Sequence, residues 1–195
     1  MRRRYTAAPV TTPRERLLAA AIEHLAQGGS HDLSLRSIAA AIGTSHRMLS
    51  YHFGSRSGLV AAIVAELERR QRAVLAEALR DREATPAELM WRMWEQLADE
   101  RMWPYERLFF EMSGRALQDA GARARPLPEQ LVDPWLETAD ELAARFGRPA
   151  EHARAEGRLG MAVTRGLLLD LLTTGDRAGA DEAMRCFIAD VERRP

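Results

Sequence analysis

Residues 34–56, SLRSIAAAIGTSHRMLSYHFGSR, decide the fold of this chain because they predict two short helices joined by a tight turn. Ser34 stands where a hydroxyl can cap the first free backbone N–H groups of a helix. Gly43 follows that helix, since glycine accepts the left-handed backbone that a sharp turn needs. Between them, apolar residues recur at the spacing of one buried helix face: Leu35, Ile38, Ala39 and Ile42.

The second helix of this pair begins at Thr44 and Ser45 and carries a polar face without a carboxylate. Leu49 and Phe53 share its buried side at i and i+4. Phosphate repels carboxylates, whereas arginine, histidine, serine and tyrosine side chains can contact phosphate oxygens or base edges. The pattern favours a DNA recognition helix, and on spacing alone an ordinary helical hairpin stays an alternative. The outward face consists of His46, Arg47, Met48, Ser50, Tyr51 and His52.

The longer segment 14–63 resembles the DNA-binding domain of the TetR family of bacterial transcriptional regulators. Four pieces carry the resemblance: a first helix ending in a double glycine, the IA…G.S turn, the YHF end of the recognition helix, and the S-R-x-x-L start of the next helix. Together they cover about a quarter of the chain. Each piece is weak alone, but their combination in this order is specific.

The resemblance implies an all-α protein with an N-terminal three-helix helix-turn-helix DNA-binding domain and a C-terminal helical ligand-binding and dimerisation domain. The chain divides accordingly into a disordered arm over 1–12, a DNA-binding domain over 13–58 and a ligand-binding and dimerisation domain over 59–195. The arm is either an untidy terminus or a contact to phosphate or the minor groove. The residues expected at the DNA are Ser34, Arg36, Thr44, Ser45, His46, Arg47, Met48, Ser50, Tyr51, His52 and Arg56.

Three positions depart from the family pattern. Arg56 replaces the usual lysine and should keep a phosphate contact. Gly58 replaces the usual acidic residue, which removes half of a capping box at the start of the fourth helix. Ser50 takes the place of an aromatic residue, with Tyr51 next to it, so the role of Tyr51 does not follow from the family.

The charge of the chain is divided between a basic end and an acidic remainder. The 28 basic and 28 acidic residues cancel. Residues 1–58 nevertheless hold eight arginines against three acidic residues, a charge of +5, which leaves −5 for the rest. Such an asymmetry is expected when one end of a protein meets DNA. The single Cys186 allows no disulfide within the chain, and no apolar run approaches the ~20 residues needed to span a membrane.

Two C-terminal helices, predicted over about 150–174 and 180–192, favour a dimer interface. The leucine run 167–172 is apolar on more than one face, so it needs partners on several sides. These helices either form half of a four-helix dimer interface, as the resemblance implies, or complete the core of one subunit. Asp170 inside the run would need a partner if buried: an arginine such as Arg165, an arginine of the other subunit, or a ligand. The residues assigned to the interface are Leu159, Val163, Leu167, Leu171, Met184, Phe187, Ile188 and Val191.

Aromatic and methionine residues cluster between positions 91 and 112. Adaptable methionines beside flat aromatic rings suit the lining of an apolar pocket, although large apolar residues at helical spacing also form ordinary core. The family resemblance favours the pocket. The expected ligand contacts are Trp91, Met93, Trp94, Trp103, Phe109, Phe110 and Met112.

These patterns predict a cytoplasmic, homodimeric transcriptional repressor that is released from its operator by a small, largely apolar ligand. The alternatives are a helical interaction module or an activator without a small-molecule ligand, and a helical enzyme. An enzyme is disfavoured because the sequence has no motif of a nucleophile, a phosphate loop or a paired-cysteine metal site. We expect no cofactor, no metal and no membrane partner; the expected partners are double-stranded operator DNA, a second copy of the chain and a small apolar ligand.

Overall fold

The computed structural model describes residues 12–28, 33–119 and 132–193. In this part of the chain the regular structure is entirely helical, which confirms the predicted all-α class. The predicted arm, apart from Thr12, and the loop expected near 121–128 lie outside the described residues. The helices are α1 (Pro13–Ala26), α2 (Leu35–Ala41), α3 (His46–Phe53), α4 (Arg56–Ala78), α5 (Pro86–Leu97), α6 (Trp103–Asp119), α7 (Asp133–Arg145), α8 (Ala150–Thr174) and α9 (Arg177–Arg193).

Hydroxyl side chains start the N-terminal helices, because they accept hydrogen bonds from backbone N–H groups that have no partner within the helix. Ser34 caps α2, Ser45 caps α3 and Ser55 caps α4, each by accepting from the N–H three residues later at 3.1–3.2 Å. Thr12 forms a capping box with Glu15 at the start of α1. The cap predicted at Ser34 is therefore confirmed, and the cap of α3 is Ser45 alone.

Gly58 allows α4 to begin directly beside the end of α3. A Cβ atom at this position would lie 2.0 Å from the carbonyl oxygen of Phe53, a distance that real structures do not tolerate. Gly58, which departs from the family pattern, is therefore the residue that this backbone conformation requires. The predicted loss of half the capping box holds, since Gly58 offers its N–H to Ser55 but has no side chain to return the bond.

The first hydrophobic core joins α1, α2 and α3 to the first half of α4 and also takes in residues of α6. It therefore continues beyond residue 58, where the predicted DNA-binding domain ends. Burial of side chains across both parts ties the position of α3 to α4 and α6. Fully enclosed members of this core include Ile22, Ile38, Leu49, Leu59, Ile63 and Met112.

The second core is built from α5, α8 and α9. Phe110 of α6 packs against both cores and so links them. Thr85 and Glu88 form a full capping box at the start of α5. α9 begins at Arg177, before the predicted start at 180.

A search of the described residues finds no helix that is both long and apolar enough to cross a membrane.

Candidate functional site

Helix α3 presents the predicted DNA-reading face to solvent. Tyr51 is 80% exposed, although burial of an aromatic side chain from water is energetically favourable. Met48 is also exposed, as are His46 and Arg47, while Ser50 and His52 are half-buried. The surface of α3 therefore offers a guanidinium, an imidazole and a phenol to a partner outside the subunit.

The buried side of α3 fixes the orientation of that face. Leu49 and Phe53 enter the first core, as their spacing predicts. The guanidinium of Arg14 on α1 lies over the ring of Phe53, 5.1 Å from its centroid. Because these contacts come from a helix other than α2, α3 is held by more than the turn that precedes it.

The remaining predicted DNA contacts surround α3. Ser34 and Ser45 use their hydroxyls to cap α2 and α3, so these hydroxyls are already engaged by their own helices. Arg36 is exposed in the first turn of α2, and Arg56 is exposed at the start of α4. Thr44 lies half-buried in the turn, where its N–H donates to the carbonyl oxygen of Ala39 at 2.9 Å.

The sequence that forms this surface carries positive side chains and no acidic ones. From residue 33 to residue 65 the sequence contains Arg36, Arg47 and Arg56 and no aspartate or glutamate. Phosphate oxygens would therefore meet positive side chains and the positive N-terminal ends of two helices without a local repulsive charge. This arrangement suits a polyanionic partner.

A cavity of about 200 Å³ lies in the C-terminal part, between α5, α7, α8 and α9 and next to the end of α4. Its wall is mainly apolar and includes several methionines and aromatic rings. Such a site can accept a small molecule whose surface is largely apolar. The rings and thioethers that shape it come from Met90, Met93, Trp135, Phe146, Met161, Met184 and Phe187.

The residues predicted as ligand contacts lie mostly outside this cavity. Only Met93 of the seven lines the cavity. Phe109 and Met112 are buried in the first core, and Trp94 is buried in the second. Trp91, Trp103 and Phe110 pack beside the second core. The cluster in sequence reflects two cores meeting along α5 and α6. The cavity also draws on α7, α8 and α9, whose contribution a local window of sequence cannot show.

The α9 part of the predicted dimer interface faces into its own subunit. Met184 and Ile188 are buried in the second core, and Phe187 and Val191 line the cavity. Leu171 on α8 is also fully buried. An amphipathic helix has one apolar stripe, and here the subunit itself uses that of α9. The residues of the predicted interface that keep exposed surface outside the cavity are Leu159, Val163 and Leu167 on α8.

A buried polar cluster connects the cavity wall to α4. Glu68, 3% exposed, accepts a hydrogen bond from the indole N–H of Trp135 at 2.7 Å and forms an ion pair with Arg165. Trp135 itself lines the cavity. Of the partners considered for Asp170, Arg165 is excluded: Asp170 is exposed within the subunit, and Arg165 turns to the carboxylate that α4 buries.

A second buried carboxylate, Glu106 on α6, lies in the same cluster. Burial raises the pKa of Glu106 to about 7. The hydrogen bond donated by Gln71 at 2.6 Å opposes this shift, the negative charge of Glu68 adds to it, and the positive charge of Arg165 opposes it. Near neutral pH this side chain therefore changes between a neutral acid and a carboxylate inside the protein.

Polar contacts also fasten α6 and α4 to α1. The hydroxyl of Tyr105 on α6 donates to the carboxylate of Glu23 on α1, with distances of 3.1 and 2.9 Å to its two oxygens. Burial and the adjacent Glu23 raise the pKa of Tyr105 above its ordinary value. Arg70 on α4 lies 3.9 Å from Glu23. These contacts join α4 and α6 to α1, whose Arg14 lies over the ring of Phe53 on α3.

Comparison with known proteins agrees with this geometry. Residues 17–63 match the family model described as bacterial regulatory proteins, tetR family. A comparison with curated proteins gives no significant match.

Solved structures share the fold over nearly the whole chain. A transcriptional regulator from Rhodococcus sp. RHA1 is 22% identical and superimposes with a TM-score of 0.71, covering 91% of this chain and 95% of its own. A TetR transcriptional regulator from Legionella pneumophila is 19% identical, with a TM-score of 0.68 and coverage of 94% and 99%.

The multidrug binding protein EbrR, solved in complex with imidazole, is 27% identical, with a TM-score of 0.68 and coverage of 94% and 93%. The family match falls on α1 to α4, the part that presents the acid-free face of α3. The shared fold extends through the helices that enclose the cavity. Residues 17–63 of this chain therefore carry the segment that the tetR family of bacterial regulatory proteins shares.

Proposed function

We propose that this protein binds operator DNA through α3 as a homodimer in the cytoplasm and represses transcription until a small, largely apolar ligand occupies the cavity. The observation that carries the DNA-binding part is the exposed face of α3, with Arg47 and Tyr51 at its surface and no acidic residue from 33 to 65. The exposed side chains of this face do not contribute to the packing of their own subunit. The face is suited to the major groove, where a helix can reach base edges and phosphates together.

The homodimer is supported by the outer face of α8. Leu159 and Val163 keep exposed surface four residues apart, and Leu167, one turn further, is partly exposed while it also packs against the second core. Nothing within 4 Å would obstruct a Cβ atom at Gly166, so a neighbouring helix could approach closely there. Two subunits joined along α8 would carry two recognition helices, as a pseudo-palindromic operator requires.

Release by a ligand is supported by the connection between cavity and α4. A molecule in the cavity would contact Trp135, whose indole N–H is bonded to Glu68 in the middle of α4. α4 in turn packs against α1 and α3. A ligand that favours one pose of α4 over another would shift the population of DNA-competent dimers, in proportion to its differential affinity for the two poses. The similar protein EbrR is described as a multidrug binding protein, which supports a ligand of this kind.

No residue of this site is proposed to be catalytic. Arg47, Tyr51 and His52 act on DNA by hydrogen bonding and charge, and Glu106 and Glu68 are enclosed by the helices that they connect. An activator that uses the same contacts is the second candidate, because the geometry of DNA binding is the same for both. Transcription measured in the presence and absence of the protein distinguishes the two.

Arg47→Ala should weaken binding to operator DNA about tenfold to a hundredfold, as expected when one base or phosphate contact of an arginine is lost. Mobility shift with operator fragments measures the affinity at several salt concentrations. If Arg47 contacts a phosphate, the magnitude of the slope of log affinity against log salt concentration should fall by about one in the variant. If Arg47 contacts a base, the slope should be unchanged and the variant should discriminate less between DNA sequences.

The matched control for this measurement is Arg80→Ala, at the end of α4 and far along the chain from α3. Arg80 is highly exposed and pairs with Glu77 on the surface, so its loss should leave DNA affinity unchanged. Both variants should keep the oligomeric state of the wild type in sedimentation. Equal affinity of the Arg47 variant and the wild type would remove Arg47 from the DNA interface.

A further inference from the structure

The cavity has charge at only one place in its wall. Among the described residues that line it, the charged side chains are Arg148, just before α8, and Glu156 on α8. The rest of the lining consists of apolar side chains, glycines, threonines and a proline. A ligand would therefore meet an apolar chamber with a single charged end.

Arg148 is fixed in place. Its guanidinium donates a hydrogen bond at 2.7 Å to the carbonyl oxygen of Val191, near the end of α9, where backbone carbonyls lack partners within the helix. Its side chain is 20% exposed. A guanidinium has five N–H donors, so this bond leaves others for a second partner.

Glu156 does not fully occupy those donors. Its carboxylate lies 3.6 Å from the other terminal nitrogen of Arg148, which is beyond the distance of a good hydrogen bond. Glu156 is also the more exposed of the two, at 35%. It can therefore turn towards water at lower cost than Arg148, which is anchored to Val191.

The other polar groups of the wall that form hydrogen bonds are already satisfied. The indole N–H of Trp135 donates to Glu68 at 2.7 Å, so Trp135 offers only its ring to the cavity. The hydroxyl of Thr138 donates to the carbonyl oxygen of Pro134 at 2.9 Å. Beside the hydroxyl of Thr164, the wall therefore offers a polar end of the ligand the guanidinium of Arg148, which is its charged donor.

We propose that the cavity binds a carboxylic acid with an alkyl or aryl body, whose carboxylate takes the place of Glu156 on Arg148. This assignment rests on the proposed function in one respect, that the cavity is the ligand site of the regulator. The charge balance decides between an acid and a cation. A carboxylate ligand keeps Arg148 paired and sends the exposed Glu156 into water. A cationic ligand would take Glu156 and leave the less exposed Arg148 without a carboxylate partner, which is the costlier arrangement.

Three probes with the same alkyl chain test the proposal on the full-length protein without DNA: octanoate, octan-1-ol and octylammonium. Calorimetric titration should show octanoate binding about tenfold or more tightly than octan-1-ol, because a hydrogen bond to a charged partner is worth more than one between neutral groups. Octylammonium should bind most weakly of the three.

Two variants make the test specific. Arg148→Met keeps the length and apolar stem of the side chain and should abolish the preference for octanoate, while retained binding of octan-1-ol shows that the cavity is still folded. Glu156→Gln removes the competing carboxylate and should leave octanoate binding unchanged or make it tighter. A cationic ligand site would instead lose its affinity for octylammonium in Glu156→Gln.

The proposal is overturned if octylammonium binds most tightly, if Arg148→Met keeps the full preference for octanoate, or if octanoate does not bind up to its solubility limit. Release of DNA is measured separately by mobility shift with octanoate. Octanoate that binds but leaves the DNA complex intact would contradict release by ligand under the proposed function, while the ligand class itself would stand.

Discussion

Glu68→Ala should lower the free energy of unfolding by about 3–5 kcal/mol, the cost of breaking a buried ion pair by removing one partner. The substitution leaves Arg165 without its carboxylate and the indole N–H of Trp135 without an acceptor. Since a typical domain is stable by only about 5–15 kcal/mol, this single change should remove a large share of the total. Urea unfolding followed by circular dichroism measures it as a shift of the midpoint.

Glu77→Ala provides the matched control because it makes the same change on the same helix. Glu77 is exposed and pairs with Arg80 at the surface, so its loss should cost less than about 1 kcal/mol. Glu68→Gln should fall between the two variants, since its amide oxygen can still accept from Trp135. Similar losses in Glu68→Ala and Glu77→Ala would show that the cluster does not hold α4 to α7 and α8.

Glu106→Gln should stabilise the protein by about 3 kcal/mol more at pH 8 than at pH 4.5. Burial raises the pKa of Glu106 in the folded protein to about 7 from an ordinary 4.5. Between these values the folded chain binds more protons at this site than the unfolded chain, so stability falls as pH rises. A difference of about 2.5 in pKa corresponds to about 3 kcal/mol. The glutamine introduced by the substitution has no charge to bury, and its carbonyl oxygen can still accept from Gln71.

Urea unfolding of both proteins from pH 4.5 to pH 8 measures this difference, and subtracting the wild type removes the contribution of all other groups. Glu111→Gln on the same helix is the control, because Glu111 is partly exposed and pairs with Arg115. The difference in free energy of unfolding between Glu111→Gln and the wild type should change little with pH. A Glu106→Gln difference that is equally flat would mean that Glu106 is ionised throughout this range.

The DNA-binding end could be predicted closely from sequence because its signals are local. The hydroxyl caps, the turn at Gly43 and the burial of Leu49 and Phe53 all depend on residues within one or two helical turns. The start of α4 was harder to predict from the sequence. Gly58 departs from the family pattern, and only the backbone shows that the carbonyl oxygen of Phe53 leaves no room for a Cβ atom.

The C-terminal part could be predicted as helices but not as a site. Glu68, Glu106 and Trp135 are separated by dozens of residues, and no pattern in the sequence indicates that they share one buried cluster. The cavity combines parts of five helices for the same reason. Sequence spacing identified the apolar stripe of α9 correctly but not its partner, because a stripe that packs within a subunit looks like one that packs against a second copy.

Under the proposed function, the Trp135–Glu68 contact would connect the cavity to the helices that carry α3. Trp135 is both a wall of the cavity and a hydrogen-bond donor to the α4 carboxylate, so a molecule that moves its ring must change the environment of Glu68. The Tyr105–Glu23 bond and the shared first core then join α6 and α4 to the helices around α3. In the proposed mechanism, these packed and hydrogen-bonded contacts would transmit the effect of a ligand to α3.

Selection of bound sequences from a pool of random duplex DNA tests the central claim most directly. We predict enrichment of an inverted repeat whose half-site centres lie about one helical turn, ~34–36 Å, or a multiple of it apart, bound by two chains. The same selection with Arg47→Ala should yield weaker or altered half-sites. No enrichment over random DNA, or the same enriched sequence and affinity with Arg47→Ala, would contradict recognition of an operator through α3.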